Sequence, residues 1–377
     1  MKAFYSEYII DGIQQELTPA RMLDCVNASD SSVNSHDEFC DSIVDESPDL
    51  PGVALLEFDA AGIDEYLEKI LSLNWQDRVF QMPFAARLSK ARIAWALIDT
   101  LWKKGNFRLG DLSLDMNWYW DPNRIGNMAA FYSSVQASAE YLDALGLSLS
   151  HYSYHDSDKS GIEITTGLFR CSHEDEDLLE KFPFHSGDPH MGEEKIFPNT
   201  LCPDLQSWII YIPFDNCEFR LGGSSLARAM GAEGGTAPDV NDADYFIDCF
   251  EVVRELVEDG IILSGATVRD GGLLTALKQM TDTHLGADIN IGDLMNAYSE
   301  KDMVRILFAE VPGVIIQIRD IDYDYVDAEL LLQDVAYFPL GHPASGHSGV
   351  NVSASVKSGI QTILESIIQS QSSEGED

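Results

Sequence analysis

The chain has 377 residues, with 63 Asp and Glu against 24 Lys and Arg, and therefore carries a net charge of -39 at pH 7. A surface this acidic repels the phosphates of nucleic acids and of anionic membranes, which argues against binding to either. The sequence has no apolar run of about 18 residues and does not begin with a signal peptide, so we expect a cytoplasmic protein without a membrane span. The length predicts two packed subdomains rather than one simple core.

Helices and strands are mixed in the N-terminal part of the chain. Apolar residues at three- and four-residue steps predict a helix over 87–103, and Gly105 follows it as a helix-ending glycine. The run 53–58 comes after Pro51-Gly52 and predicts a buried strand. The other predicted elements are strands over 4–10, 112–118, 147–154 and 162–169 and a helix over 129–145.

Strands and helices alternate after residue 200, which is typical of an α/β layer. The acidic segment before it contains three prolines and is interpreted as an inserted loop. The predicted elements are strands over 207–213 and 261–264, helices over 224–230, 245–259 and 271–280, and a hairpin or two neighbouring strands over 304–308 and 314–318.

Two glycine pairs stand immediately before predicted helices. Gly222-Gly223 precede Ser224, a residue that caps helices, and the free N–H groups at a helix start suit a phosphate. Asp270 precedes Gly271-Gly272, and its carboxylate suits either a helix cap or a bound cation. Each pattern is also that of an ordinary turn and cap, so structural and binding roles both remain open.

The strand over 112–118 carries a third polar position. Asn117 lies near its end, next to Trp118, where an amide side chain either contacts a ligand or closes a turn.

These stretches, in this order, resemble the purine-pathway enzyme phosphoribosylformylglycinamidine (FGAM) synthetase. Asp-Gly-Gly-Leu-Leu at 270–274 is similar to that family's Ser-Asp-Gly-Gly-Leu-Leu, and 221–231 to its Leu-Gly-Gly-Ser-Ala-Leu-Ala helix start. Weaker likenesses to the family lie at 51–58, 114–118 and 307–319. The matches cover roughly residues 1–345 and resemble the second, C-terminal synthetase repeat of the long-chain enzyme.

The resemblance implies a PurM-like (AIR synthase-like) fold of the α/β (α+β) class. Its N-terminal subdomain, residues 1–165, would pair its mixed sheet with a second copy, either a homodimer mate or a partner first-repeat synthetase subunit. An acidic inserted loop at 166–200, a C-terminal α/β subdomain at 201–345 and a flexible tail at 346–377 would complete the chain.

The resemblance also implies a reaction and a site. The family uses ATP and Mg²⁺ to convert formylglycinamide ribonucleotide to the amidine, with ammonia that a separate glutamine amidotransferase would supply here. No catalytic residue is assigned. The residues that match the family's metal ligands are Asp99 and Asp270. The residues implied in binding ATP or ADP are Asn117, Asp156, Ser157, Gly222, Gly223, Ser224, Gly271 and Gly272.

Several positions depart from the family pattern. Trp95 stands where the family has a metal-binding Glu, and Asp99 stands where it has an Asn. His155 replaces a lysine, and a neutral histidine neutralises phosphate poorly at pH 7. Two hypotheses therefore remain: a synthetase component of purine biosynthesis, or a non-catalytic nucleotide-binding or scaffold paralogue with a degenerate metal site.

Overall fold

A computed structural model gives the fold and describes residues 2–28, 54–73, 80, 82–103, 107–168 and 198–355. These residues form two subdomains of mixed helices and strands, which confirms the predicted α/β (α+β) class. None of the helices within these ranges has the length and apolar character that crossing a membrane requires.

The N-terminal part of the chain contains short terminal elements, three long strands, the helices that cover them, and one helix (63–71) that packs against the C-terminal subdomain. They are α1 (Lys2–Tyr5), β1 (Ile9–Ile10), β2 (Ile13–Gln14), α2 (Pro19–Ala28), α3 (Ile63–Leu71), α4 (Ala85–Ile98), β3 (Leu112–Trp120), α5 (Asn127–Ala144), β4 (Ser148–Asp156) and β5 (Gly161–Leu168). The long strands form a sheet of order β4-β3-β5, in which β3 is parallel to β4 and antiparallel to β5. Helix α5 makes the crossover between the parallel pair and packs against α2 and α4.

The N-terminal sheet has one buried face and one more exposed face, and the central strand β3 contributes side chains to both. Trp118 and Trp120 are fully buried, and their indole N–H groups donate to Ser134 Oγ at 3.0 Å and to the Asn127 carbonyl at 2.7 Å. The residues between them face the other way, because successive side chains of a strand alternate. Tyr119 is accordingly 39% exposed.

The C-terminal subdomain is built on a six-stranded sheet. Its elements are β6 (Trp208–Pro213), α6 (Ser225–Ala229), α7 (Ala243–Glu258), β7 (Ile262–Val268), α8 (Gly272–Met280), β8 (Leu285–Asn290), α9 (Gly292–Ala297), α10 (Met303–Phe308), β9 (Gly313–Ile318), α11 (Tyr323–Leu332), β10 (Phe338–Ser345) and β11 (Val350–Ser353). The strand order is β11-β8-β10-β6-β9-β7, and only the β11–β8 pair is parallel.

The central strands β6 and β9 of this sheet are buried on both faces, which joins the two subdomains into one packed body. In β6, Ile210 and Ile212 belong to a core shared with α4, α5 and α7, whereas Ile209 and Tyr211 pack with α8 and α10. All four side chains are fully buried. The strand is therefore apolar at successive positions, as expected for a strand covered on both sides.

Three predicted strands are wrong. Residues 4–10 form α1 and then β1, since the turn at Asp11-Gly12 makes a short β1–β2 hairpin. Residues 54–58 form no strand, and Phe58 instead packs edge-on against Tyr66. Residues 303–308 form helix α10, capped by Asp302, whose carboxylate accepts the Val304 N–H.

The predicted inserted loop and tail fall largely outside the described residues. Residues 169–197 and 356–377 belong to that undescribed part. Within the described part, β11 extends the six-stranded sheet, so residues 350–353 belong to the C-terminal subdomain and the predicted start of the tail at 346 is too early.

Candidate functional site

One buried carboxylate joins the two glycine loops that the sequence singles out. Glu310 lies between α10 and β9 and is 5% exposed. Its Oε1 atom accepts the backbone N–H of Ser225 and the backbone N–H of Gly271, both at 2.7 Å. The start of α6 and the start of α8 are therefore held at a single point.

The glycines of these loops permit close backbone approach. A Cβ atom on Gly222 would lie 2.5 Å from the carbonyl carbon of Thr236, and one on Gly272 would lie 2.7 Å from the carbonyl carbon of Phe308. Gly271 and Gly272 also have positive φ angles of 84° and 70°. These positions therefore require glycine for packing, whatever they bind.

Ser224 has the capping role that the sequence predicts. Its hydroxyl donates to the Leu221 carbonyl at 2.7 Å and accepts the Ala227 N–H at 3.2 Å. This satisfies one of the N–H groups that a helix start leaves unpaired.

Four charged side chains, Arg92, Arg228, Asp270 and Glu310, form a charge cluster beside the glycine loops. An Arg228 Nη2 lies 3.9 Å from Asp270 Oδ1 and donates to Ser225 Oγ at 3.0 Å. The side chains of Arg228 and Asp270 are 16% and 14% exposed. Burial, followed by the negative charge of Asp270, raises the pKa of Glu310, while Arg228 opposes the shift.

Arg92 links this cluster to the N-terminal subdomain. Its guanidinium lies 4.6 Å from the centre of the Phe80 ring, and Nη1 donates to the Ile162 carbonyl at 3.0 Å. Burial lowers the pKa of Arg92, and the charges of Asp270 and Glu310 oppose that effect. An arginine on α4 therefore contacts the β5 edge and also interacts with the acids beside α8.

Asn117 and Asp156 lie on neighbouring strands of the N-terminal sheet, three register positions apart and on opposite faces, and Ser157 follows the second strand. Asn117 Oδ1 accepts the Ser153 hydroxyl at 2.5 Å, and the Ser157 N–H donates to the Trp120 carbonyl at 2.8 Å. Asp156 ends β4 opposite Trp120.

The structure thus divides the predicted nucleotide residues into two groups. One group lies on the β3–β4 strands, and the other surrounds the charge cluster. Phe80 and Arg92 lie between the two groups. The Phe80 N–H donates to the Ser160 carbonyl at 2.8 Å, and Arg92 donates to the Ile162 carbonyl.

The predicted metal ligands are each engaged with cationic or hydroxyl groups. Asp99 Oδ1 accepts the Thr267 hydroxyl at 2.5 Å, and Asp99 Oδ2 pairs with Arg269 Nη1 at 2.8 Å. Asp270 faces Arg228, and Trp95, which is 6% exposed, offers no oxygen ligand. Within the described ranges, no three His, Cys, Asp or Glu side chains are grouped as a metal site requires. Magnesium prefers several oxygen ligands, so this donor set fits it poorly.

A cavity of about 670 Å³ lies elsewhere, beside the loop between α9 and α10. Arg305 forms part of its wall and pairs there with Glu300 at 3.3 Å and with Asp302 at 3.6 Å. None of the predicted site residues lines this cavity.

The sequence analysis does not assign roles to Glu310, Arg92 or Arg228. Glu310 lies within the stretch 307–319 that resembles the family, which was the available signal. Arg228 lies within the stretch 221–231 that also resembles the family, whereas Arg92 has no local signal, because its partners come from distant parts of the chain.

The comparisons with known proteins agree with the resemblance. The human phosphoribosylformylglycinamidine synthase is 25% identical over 280 residues, covering 71% of this chain and 19% of that protein. The Arabidopsis thaliana protein described as a probable chloroplastic/mitochondrial phosphoribosylformylglycinamidine synthase is 24% identical, covering 68% of this chain and 17% of its own length. The chain is therefore similar in sequence to FGAM synthases. It spans about a fifth of the length of these relatives, and no family model matches it.

A solved structure supports the fold of this chain. PurL from Thermotoga maritima, solved in complex with FGAR, superposes with a TM-score of 0.51 at 10% identity. The match covers 74% of this chain and 46% of PurL. This likeness confirms the PurM-like fold that the sequence resemblance implies.

Proposed function

We propose that this chain is a nucleotide-binding synthetase component of an FGAM synthase-type enzyme in purine biosynthesis. The observation that carries the proposal is the attachment of both glycine loops to Glu310, beside Arg228 and Arg92. The partly exposed guanidinium of Arg228 beside these loops offers complementary charge to a polyphosphate. The similarity in sequence to FGAM synthases supports ATP or ADP as the ligand.

The proposed reaction is the ATP-dependent conversion of formylglycinamide ribonucleotide to its amidine. Nitrogen would come from glutamine through a separate glutamine amidotransferase. In this proposal the loops at 222–224 and 270–272 position the phosphates, and Asn117, Asp156 and Ser157 contact the nucleotide from the N-terminal subdomain. A fixed site of this kind favours a phosphoryl transfer by orientation and by electrostatic stabilisation.

Magnesium is left out of the proposed site. The resemblance implies it, and Asp99 and Asp270 remain the predicted ligands. Both carboxylates already interact with arginine side chains, however, so no step of the proposed function is assigned to a metal ion.

The three-stranded sheet is the proposed surface for a second synthetase repeat. Within the described residues β4 and β5 are its edge strands, and no further strand pairs with their outer sides. Exposed strand edges are normally covered or paired. A homodimer mate or a partner first-repeat subunit would cover this sheet.

A second candidate function is a non-catalytic nucleotide-binding or scaffold module. Trp95 favours it, because a buried indole occupies the position of an acid in the family. Asp99 favours it as well, since its two oxygens bind Thr267 and Arg269 and connect α4 to β7.

A thermal-shift titration with ADP and ATP tests the shared part of both candidates. A ligand that binds only the native state raises the melting temperature by mass action, and at about 100 times its Kd it adds about 2.7 kcal/mol. Sodium sulfate at matched ionic strength serves as the control for general anion effects. No shift at millimolar nucleotide would refute a nucleotide site.

Reconstitution separates the two candidates. The chain would be mixed with a first-repeat synthetase subunit, a glutaminase, glutamine, ATP and formylglycinamide ribonucleotide. ATP hydrolysis coupled to amidine formation supports the synthetase component. Nucleotide binding without turnover in the complete mixture supports the non-catalytic module.

A further inference from the structure

The carboxylates near the glycine loops are already neutralised by groups of this chain. Asp99 pairs with Arg269 at 2.8 Å, and Asp270 lies 3.9 Å from Arg228. Glu310 accepts two backbone N–H groups. A divalent cation here would have to displace or approach arginine charges, and like charges at such distances repel strongly in a partly buried site.

The positive charge at this place is unusual for so acidic a chain. Only 24 of 377 residues are Lys or Arg, yet Arg92 and Arg228 both interact with the Asp270 carboxylate. Arg92 comes from the N-terminal subdomain and Arg228 from the C-terminal one. The two guanidinium groups therefore converge where the subdomains meet.

Arginine is suited to binding phosphate without a metal. Its planar guanidinium stays charged at all ordinary pH values and donates paired hydrogen bonds to phosphate oxygens. Arg228 donates to Ser225 Oγ at the start of α6, which fixes the position of the guanidinium relative to that helix.

We propose that this site binds the phosphates of its nucleotide through Arg228, without a divalent cation. This inference rests on the proposed nucleotide-binding function. In the unliganded protein Asp270 is the counter-ion of Arg228, and the incoming phosphate takes its place. Asp270 is therefore a competitor of the phosphate and not a metal ligand.

The arginine site and the magnesium site predict opposite effects of Asp270→Asn. If Asp270 competes with phosphate, removal of its charge makes Arg228 available and reduces repulsion, so ADP binds more tightly, by about threefold or more. If Asp270 ligates magnesium, the same variant loses a charged ligand and binds ADP more weakly.

The experiment measures ADP affinity by calorimetry and by thermal shift on the full chain, once in EDTA and once in excess Mg²⁺. Arg228→Gln removes the charge and should weaken binding by about tenfold or more, and Arg228→Lys should restore part of it. Arg319→Gln is the matched control, because Arg319 lies at the opposite end of β9 from Glu310 and pairs with Asp322. The melting temperature of each unliganded variant reports its folding.

Three results are distinguishable. Equal ADP affinity in EDTA and in Mg²⁺, together with tighter binding by Asp270→Asn, supports the inference. ADP binding that requires Mg²⁺ and is lost in Asp270→Asn overturns the inference and leaves the proposed function intact. No ADP binding under either condition overturns both.

Discussion

Replacement of Glu310 tests whether its carboxylate holds the two loops together. In Glu310→Ala the N–H groups of Ser225 and Gly271 lose their common acceptor in a buried place. A buried donor left without a partner costs about 1–3 kcal/mol, so two of them cost about 4 kcal/mol in the free energy of unfolding. This would be a large fraction of the stability of an ordinary protein.

Glu310→Gln should cost about 1 kcal/mol or less. Both hydrogen bonds end on the single oxygen Oε1, which an amide oxygen can replace. The pKa of Glu310 is raised by burial and by Asp270, so its surroundings already disfavour the negative charge. Loss of that charge is therefore tolerated, whereas loss of the acceptor is not.

Urea unfolding followed by circular dichroism and by tryptophan fluorescence measures both variants. Coincident transitions establish that the two subdomains unfold together. Glu258→Ala is the control, because that carboxylate is 61% exposed and its partner Arg254 keeps its ion pairs with Glu251 and Glu255, so the change should cost little. The reasoning fails if the alanine and glutamine variants of Glu310 are equally stable.

Three further predictions concern the surroundings of the site. Gly222→Ala should lower the free energy of unfolding in urea by about 2–3 kcal/mol, because its Cβ would meet the Thr236 backbone. Gly260→Ala should lower it by about 1 kcal/mol, since Gly260 has a φ of 68° but open space around its Cβ position. A larger loss for Gly260→Ala than for Gly222→Ala would contradict the role of packing. Ser224→Ala should lower stability by about 1 kcal/mol through loss of the helix cap, and Ser224→Asn should recover most of it. Burial raises the pKa of Asp215 above its ordinary value, although the backbone N–H groups that it accepts lower it. The contribution of Asp215 to stability is therefore greatest below its pKa in the unfolded chain and falls as the pH rises through its pKa in the folded protein. The stability of Asp215→Asn relative to the wild type should therefore increase as the pH rises above about 4, and a difference in unfolding free energy that does not change with pH would count against the shift.

Long periodic segments were predictable from the sequence. The helix predicted over 87–103 appears as α4, Ala85–Ile98, followed by a 3-10 turn at Asp99–Trp102, because its apolar residues recur at the helical period. The predicted strand at 112–118 appears as β3, where alternation of buried and half-buried side chains matches the pleat.

Short apolar runs were not predictable in the same way. Residues 303–308 are nearly all buried and show no clear period, so strand and helix are equally compatible with the pattern. Asp302, the cap, was the local signal for the helix. Residues 54–58 had strand-like composition, but no strand of the described residues pairs with them.

The candidate site was predictable only where its residues form a local motif. Gly222 and Gly271 are recognisable from the helix starts that follow them. The carboxylate that joins them is not, because Glu310 acts through hydrogen bonds to residues 85 and 39 positions away. Likewise, the predicted pairing of Asp99 and Asp270 as metal ligands depended on the charges around them, which only the fold reveals.

The charge cluster differs from a metal site built of carboxylates alone, because it contains arginines as well as acids. Carboxylates grouped alone repel each other until a cation binds, so such a site is completed by its metal. Here two acids and two arginines balance within the protein, at the junction of the subdomains. The junction therefore needs no bound cation to be neutral. Binding of an anion must instead rearrange an existing ion pair, which makes Arg228 and Asp270 the residues that decide its affinity.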